Sequence, residues 1–572
     1  MMKTLCTAYA AFAIITIAAS AHAGKKPLRD APIAWYEDDR QPIELPAERE
    51  PSIAWDYFED SWGQPRERLT NPVRITWSIG RLFGGDKVPP ARNINALDEV
   101  PNSTWFTNRI GMYPMSPADV ARGRGDGRGP DQSQKWEVVK AKTEGITPGF
   151  NIRDGRGDVY VIKFDPPGYM NMTSAAGVIS NRILHAFGYN VPEDFTVTFR
   201  RSDIVVAEGA TMKGPDDTKR PMTERDIDEI LDSVDMLNDS EWLAISSRYL
   251  SGRPVGPFSQ RGRRKDDPND RVNHEDRREL RGLYAVAAWI NHFDLKQHNT
   301  LDMYVTRDGS SFIEHNLIDF ASTLGAGASG VNRRYGYEYS FDPKAILRRT
   351  FTLGMLEDRW RKRERDAELT EVGYFDSAYF EANKFRPLQP QSDFANTTDR
   401  DAYWGAKIVG AFRDEHIDAI VAQARYRDPR AAESVATVLK KNRDIIVRYY
   451  FDRVTPIDYF LSDGRSVRFR DLGEEYGVYP GTTARYRMRA AATNEDRGVE
   501  KKTRSEWTNL DAPSVSLSSA AVTGALSTPA AERPFLSLEL QVDRGDGWSG
   551  SVVVYLARET GRAIGRIVAV DR

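Results

Sequence analysis

The sequence holds a single cysteine in 572 residues, and Cys6 precedes the apolar stretch at 8–19 instead of closing it. A chain processed after that stretch has no thiol, which excludes disulfides, thiolate metal sites and thiol catalysis. Histidine is scarce as well. There are 7, and His274, His298, His315 and His416 lack the i, i+4 pairing of a zinc-binding helix, so they read as hydrogen-bonded structural residues. Beyond residue 23 no apolar run approaches the roughly 20 residues that span a bilayer. An excess of one charge is also missing: 80 Lys+Arg stand against 83 Asp+Glu, a formal net charge of -3, so a bulk grip on nucleic acid is not expected. The hydrolase signatures G-x-S-x-G and H-E-x-x-H do not occur.

What is present is the composition of an ordinary globular protein, 40% hydrophobic and 28% charged, long enough for two to four domains. Residues 1–23 combine Lys3, the apolar stretch and the small-residue ending Ala21-His22-Ala23. This predicts an export signal cleaved near Ala23 and a periplasmic or extracellular chain, with an uncleaved anchor as the alternative. Residues 24–131 are rich in Pro, Trp and acidic residues and read as an extended arm and linker. The echo of Ile33-Ala34-Trp35 in Ile53-Ala54-Trp55 is too short for a repeat array. Gly123-Arg124-Gly125-Asp126-Gly127-Arg128-Gly129 has no apolar side chain to bury and reads as an exposed loop, its Arg-Gly-Asp triplet a product of composition.

From Trp136 the pattern turns to short strands at 137–142, 150–153 and 158–164, a helix over 174–188, and strands at 195–200 and 204–207. Helices follow at 224–234, 278–291 and 431–450. A β-rich lobe at 132–215 thus precedes a helical lobe at 216–455. Within the latter, the run Arg261 to Lys265 reads as a solvated loop and 357–368 as an exposed helix around Trp360. Beyond 456, alternation at 484–489 and 536–542, with strands at 551–556 and 563–570, predicts an all-β, sandwich-like domain over 456–572. Its stripe Arg485, Arg487, Arg489 reads as a solvated sheet face.

The most informative stretch is His292-Phe293-Asp294-Leu295-Lys296-Gln297-His298-Asn299, which reads H-x-D-L-K-x-x-N. A predicted hairpin, 301–306 and 312–318, separates it from Asp319-Phe320-Ala321. Upstream, Lys163 ends a strand on the same face as Val159 and Val161, and the turn at 143–149 carries Gly145 and Gly149. Together these residues resemble the protein-kinase-like superfamily over roughly 132–450, nearer to its atypical exported and toxin-type members. The resemblance implies an α+β, bilobal protein-kinase-like fold, here flanked by the N-terminal arm and the C-terminal β domain. It implies that Lys163 holds the α/β-phosphates of ATP or another nucleotide and that the backbone at Gly145 and Gly149 covers them. Asp294 then orients or deprotonates the acceptor, Lys296 faces the γ-phosphate, and Asn299 with Asp319 holds Mg²⁺ or Mn²⁺. His292 orients the loop. The acceptor implied is a protein or a glycan.

The sequence departs from that pattern at Phe293, where the family has Arg, at Ala321, where it has Gly, and in the sparse glycines of 143–149. No acidic residue lies between Pro166 and Pro192, where the family's helix supplies a Glu. Lys163 is then expected to pair with Asp319 or to borrow Glu144 or Asp165. A catalytically inactive scaffold whose arm and β domain bind partners in the cell envelope is the second reading. Gly325-Ala326-Gly327-Ala328-Ser329-Gly330 spells a dinucleotide fingerprint, but the residues after it lack a helical period, so it reads as a mobile loop after Asp319.

Overall fold

The computed structural model describes residues 26–50, 88–142, 147–214, 218–558 and 565–572. The expected export signal with Cys6, the second half of the Ile-Ala-Trp echo, Glu144 and Gly145 lie outside the described residues. After the short helix α1 (Pro117–Arg122), the sheet region comprises β1 (Trp136–Ala141), β2 (Gly149–Arg153), β3 (Val159–Lys163), helix α2 (Met172–Phe187), β4 (Asp194–Arg200), β5 (Ile204–Lys213), β6 (Lys219–Pro221), helix α3 (Glu224–Asp232) and β7 (Glu241–Arg248). The strands form one sheet in the order β4-β7-β3-β2-β1-β5-β6. Alternation sorts its two faces. Val138, Phe150, Ile152, Tyr160, Ile162 and Phe199 pack with Ile227 and Leu231 of α3 on one side. On the other, the cross-strand pairs Lys163↔Ile245↔Thr196 and Val161↔Ser247↔Asp194 line up toward α2.

Strand β7 lies beyond the expected lobe boundary at 215, where it inserts between β3 and β4 and carries the sheet on to Arg248. It was hidden because Trp242 to Ser246 are all buried, which erases the period-2 signal of a half-exposed strand.

The helical region comprises the two-residue strand β8 (Arg253–Pro254), helix α4 (Arg278–Trp289), the hairpin β9 (Thr300–Arg307) and β10 (Ser310–Leu317), and helices α5 (Pro343–Phe351), α6 (Asp399–Gly410), α7 (Asp414–Ala422) and α8 (Pro429–Phe451). Every residue of α4 is buried. It lies against α6 at glycine contacts: a Cβ on Gly282 would sit 2.5 Å from the Trp404 ring, and one on Gly405 would sit 2.6 Å from the Gly282 carbonyl. Buried charge obscured this pairing in the sequence. Arg278 meets Asp98 at 2.8 Å and Asp401 at 3.0 Å, so core positions of both helices are ionic.

Three surface expectations are corrected in the same region. Arg264, in the run read as solvated, is buried and reaches Asp302 at 3.0 Å. Residues 357–368 form no α-helix but a 3-10 turn at Arg359–Lys362, with Trp360 stacked on Tyr337. The Gly325–Gly330 segment is packed instead of loose: a Cβ on Gly325 would sit 2.4 Å from the Tyr374 backbone, and no helix begins before Pro343.

Beyond α8, strands β11 (Ile457–Ser462), β12 (Ser466–Asp471), β13 (Arg485–Thr493), β14 (Thr508–Leu510), β15 (Ser514–Ser516), helix α9 (Ala520–Ala525), β16 (Phe535–Asp543), β17 (Val552–Ala557) and β18 (Ile567–Asp571) form two sheets, β11-β12-β15 and β14-β13-β16-β17-β18. Ile457, Val467 and Phe469 from one share a core with Met488, Leu538 and Val554 from the other, a two-layer β packing. The arginine stripe is solvated only at Arg485, whose side chain is exposed. Arg487 lies between the Trp507 and Trp548 rings at 4.3 and 4.1 Å, and Arg489 pairs with Glu539 at 2.6 Å.

The arm at 26–50 has no regular element but is bonded along its length. Leu28 N donates to Glu495 O, Ile43 N to Ser311 O and Arg49 N to Val255 O. Lys407, itself 2% exposed, bonds Glu99 and lies 3.0 Å from Asp458, joining the residues after the arm, α6 and β11 in one ionic cluster.

Candidate active site

Two local devices assemble the site. Helix α4 stops where Asn291 adopts φ 49°, and the loop after it is closed by Asn299, whose amide NH₂ donates to Asp294 O at 2.7 Å and Asp294 Oδ2 at 3.3 Å. Lys296 Nζ lies 2.8 Å from Asp294 Oδ1. The β9–β10 hairpin then returns the chain to its start, pairing Leu317 with Thr300, and Ile318 N donates to Asn299 O at 3.0 Å. Asp319 therefore follows beside Asn299, with a left-handed φ of 60° that is rare for a residue with a Cβ.

Strand β3 supplies the third component. Lys163 Nζ lies 3.0 Å from Asp319 Oδ1, so residues from the sheet region and the helical region meet in one place. Gly149 pairs with Lys163, and a Cβ there would lie 2.1 Å from Ile162 O, so glycine is required by strand approach. Asp165 is not a partner of Lys163. It turns to the start of α2 and accepts from Thr173 N at 2.7 Å and Ser174 N at 2.8 Å. Gly177 of α2 faces the sheet, where a Cβ would come within 2.7 Å of the tip of the Ile245 side chain, and α2 carries no acidic residue.

The acid that sequence reasoning missed is Asp194 at the start of β4. It is buried, shares a sheet face with Lys163, and accepts from Ser247 Oγ at 2.5 Å. Burial pushes its carboxyl up, the Ser247 bond and the Lys163 charge offset part of that, and the group titrates at about 6. Its position just after Pro192, outside the helix searched for an acid, gave no signal.

The other charges divide by environment. Burial pushes Asp319 up, but the Lys163 charge, with Lys142 and Lys296 behind it, outweighs burial and holds Asp319 below its usual range. Burial raises Asp294 and is only partly offset by Lys296, so this carboxyl is more basic than usual. His292 is pushed down to about 4 by burial, hence neutral at pH 7, and its ring meets Phe320 edge-on at 5.8 Å. Phe293 is buried and stacks on Tyr335 at 3.8 Å, an aromatic clasp beside the loop.

Among the described residues no three His, Cys, Asp or Glu side chains form a metal cluster. Asp319 and Asn299 nevertheless suit a hard cation of the Mg²⁺ type, which takes one or two carboxylate or amide oxygens and completes its shell with phosphate oxygens and water. The Asn299 NH₂ group is turned to Asp294, leaving its Oδ1 without a hydrogen-bond partner among the described residues.

No family model and no curated protein matches the sequence. The chain is similar to solved structures of kinases. The proinflammatory kinase CtkA of Helicobacter pylori aligns at 10% identity with a TM-score of 0.32, over 57% of this chain and 100% of that one. The Golgi casein kinase aligns at 10% identity with a TM-score of 0.27, over 73% of this chain and 96% of that one. Its form with Mn/ADP bound aligns at 11% identity with a TM-score of 0.28, over 73% and 96%.

Proposed function

We propose that the protein is an atypical kinase-like phosphotransferase that binds ATP or another nucleotide with Mg²⁺ or Mn²⁺ between its sheet and helical regions and phosphorylates a protein or glycan hydroxyl. The observation that carries this reading is the 3.0 Å contact between Lys163 and Asp319, beside the Asp294–Lys296–Asn299 loop. Phosphoryl transfer asks for charge neutralisation and alignment, and this set offers two ammonium groups, two carboxylates and an amide in one place. A bound divalent cation would supply charge neutralisation on the phosphate oxygens, with Asp319 and Asn299 holding it. Lys163 would leave Asp319 to contact the nucleotide phosphates. Asp294, made more basic by burial, would take the acceptor hydroxyl's proton as the oxygen forms its bond to phosphorus and the bond to the nucleoside diphosphate breaks. Lys296, held by Asp294, would pair with the transferred group. With the pattern at residues 1–23, the reading extends to an exported protein working outside the cytoplasm.

Two observations favour the second reading, an inactive envelope scaffold: Lys163 pairs directly with the oxygen that a cation would use, and α2 offers no glutamate to draw it away. Transfer of labelled phosphate from ATP, with Mg²⁺ or Mn²⁺, to the protein itself and to added protein and glycan acceptors separates the two. Incorporation that falls about 100-fold or more in Asp294→Asn supports the enzyme. Nucleotide binding by the parent with no transfer supports the scaffold, and absence of nucleotide binding removes the proposal.

A further inference from the structure

A second site lies apart from this cleft and shares none of its residues. Arg40, Arg109, Arg124 and Arg307 converge with His185 and Glu314 on a cavity of about 170 Å³. Arg109 donates to His185 O at 2.7 Å and Tyr189 O at 3.1 Å, carbonyls at and just after the end of α2, and among the described residues only Glu314 acts on it as a counter-charge, without a direct ion pair. Arg124 donates to Val191 O at 2.9 Å and lies 3.5 Å from Glu314 Oε1, while Arg307 lies 2.6 Å from Glu314 Oε2. Arg40 comes from the arm, and its guanidinium lies 5.9 Å from the centre of the Phe312 ring. Four cations thus face one carboxylate.

The arrangement is built. Arg124 sits within the glycine-rich loop, where Gly123 and Gly125 take φ of 71° and 76°. A Cβ on Gly123 would lie 2.6 Å from Arg182 Cδ, and one on Gly125 would lie 2.3 Å from Glu193 Oε2, so the glycines let the loop press Arg124 inward. The expectation of an exposed linker is therefore corrected for this residue. Burial and then the Arg124 charge push Arg109 down to about 10, and the Glu314 charge offsets only part of that. His185 is kept neutral by burial and the surrounding arginines, and its buried Nδ1 has no hydrogen-bond partner among the described residues. Like charges gathered in a partly desolvated cavity repel one another, and a small anion relieves that repulsion.

We propose that this cavity binds a tetrahedral oxyanion, the phosphate or sulfate group of a small ion or ester, gripped by the guanidinium forks of Arg109, Arg124 and Arg307. Planar guanidinium groups match two oxygens of such a group at once, which a lysine cluster would not. The exposed side chain of Arg307, 42% accessible, puts the mouth of the cavity at the surface, where an ester's remainder can project.

Calorimetric titration of the full chain with inorganic phosphate and, separately, sulfate, at ionic strength fixed with chloride, tests the proposal independently of the kinase reading. Saturable binding of one ion per chain is expected, weakened about tenfold or more in Arg307→Ala and in Arg124→Gln and retained in Lys163→Met. Whichever ion binds tighter identifies the ester class. Arg307→Ala removes an exposed side chain, and circular dichroism checks that both arginine variants keep the fold. Absence of saturable binding, binding unchanged in both arginine variants (an adventitious ion only), or binding lost in Lys163→Met alone would overturn it, the last by moving the ion to the cleft.

Discussion

The Lys163 ammonium lies 3.0 Å from Asp319 Oδ1, although one residue ends a strand of the sheet and the other follows a hairpin in the helical region. The contact joins the two regions at Asp319, whose backbone holds a left-handed φ of 60°. It forms where α2 offers no acid, since that helix carries neither Asp nor Glu from Met172 to Phe187.

Strand approach at Gly149 sets the position of Lys163. A Cβ in Gly149→Ala would meet the Ile162 carbonyl, a backbone atom that cannot step aside without opening β2 from β3. The variant is expected to lose about 1–3 kcal/mol of stability, read by urea unfolding. An unchanged midpoint would show that the pairing has slack.

Asp194 gives a signed pH dependence. Its folded-state carboxyl titrates at about 6, above the roughly 3.9 of an unfolded chain, so the folded state binds more protons between these values. Its contribution is therefore fully present below about pH 4 and is lost as pH rises through about 6. Asp194→Asn is expected to be more stable than the parent by up to about 3 kcal/mol at pH 7.5, with the difference shrinking toward zero at pH 4. A difference independent of pH would contradict the burial assigned to this carboxyl.

Lys407 carries the link between α6, the segment containing Glu99 and the C-terminal β region. Lys407→Met would leave Glu99 and Asp458 buried without that cation, and a loss of about 3–5 kcal/mol is expected in denaturant unfolding. A loss below about 1 kcal/mol would show that Arg572, 2.6 Å from Asp458, suffices alone.

Arg487 distinguishes a clasped arginine from a solvated one. Stacked between Trp507 and Trp548, it is expected to cost about 1–2 kcal/mol when changed to Ala, beyond the half kcal/mol typical of free surface sites. A near-neutral effect on thermal unfolding would return Arg487 to the solvent-facing reading.

Local pattern made much of the sheet legible. Alternation and turn residues located β1, β2, β3 and the β9–β10 hairpin, because those strands carry period-2 or turn chemistry of their own. The loop motif and Asp319 could be picked out for the same reason, since a hairpin of readable length separates them. What stayed hidden depends on tertiary context. Strand β7 buries both faces, α6 and α7 were not foreseen, and Arg264 and Arg278 are charged residues whose partners lie far along the chain. Asp194 was missed because strand pairing, and not helical spacing, brings it to the face that carries Lys163.

Calorimetric titration of ATP with Mn²⁺ into the parent and into Asp319→Asn tests the central claim most directly. Saturable, metal-dependent binding by the parent, weakened about tenfold or more by the single substitution, is the expected result. No metal-dependent binding by the parent, or equal affinity in the variant, would contradict a nucleotide site built on Lys163 and Asp319.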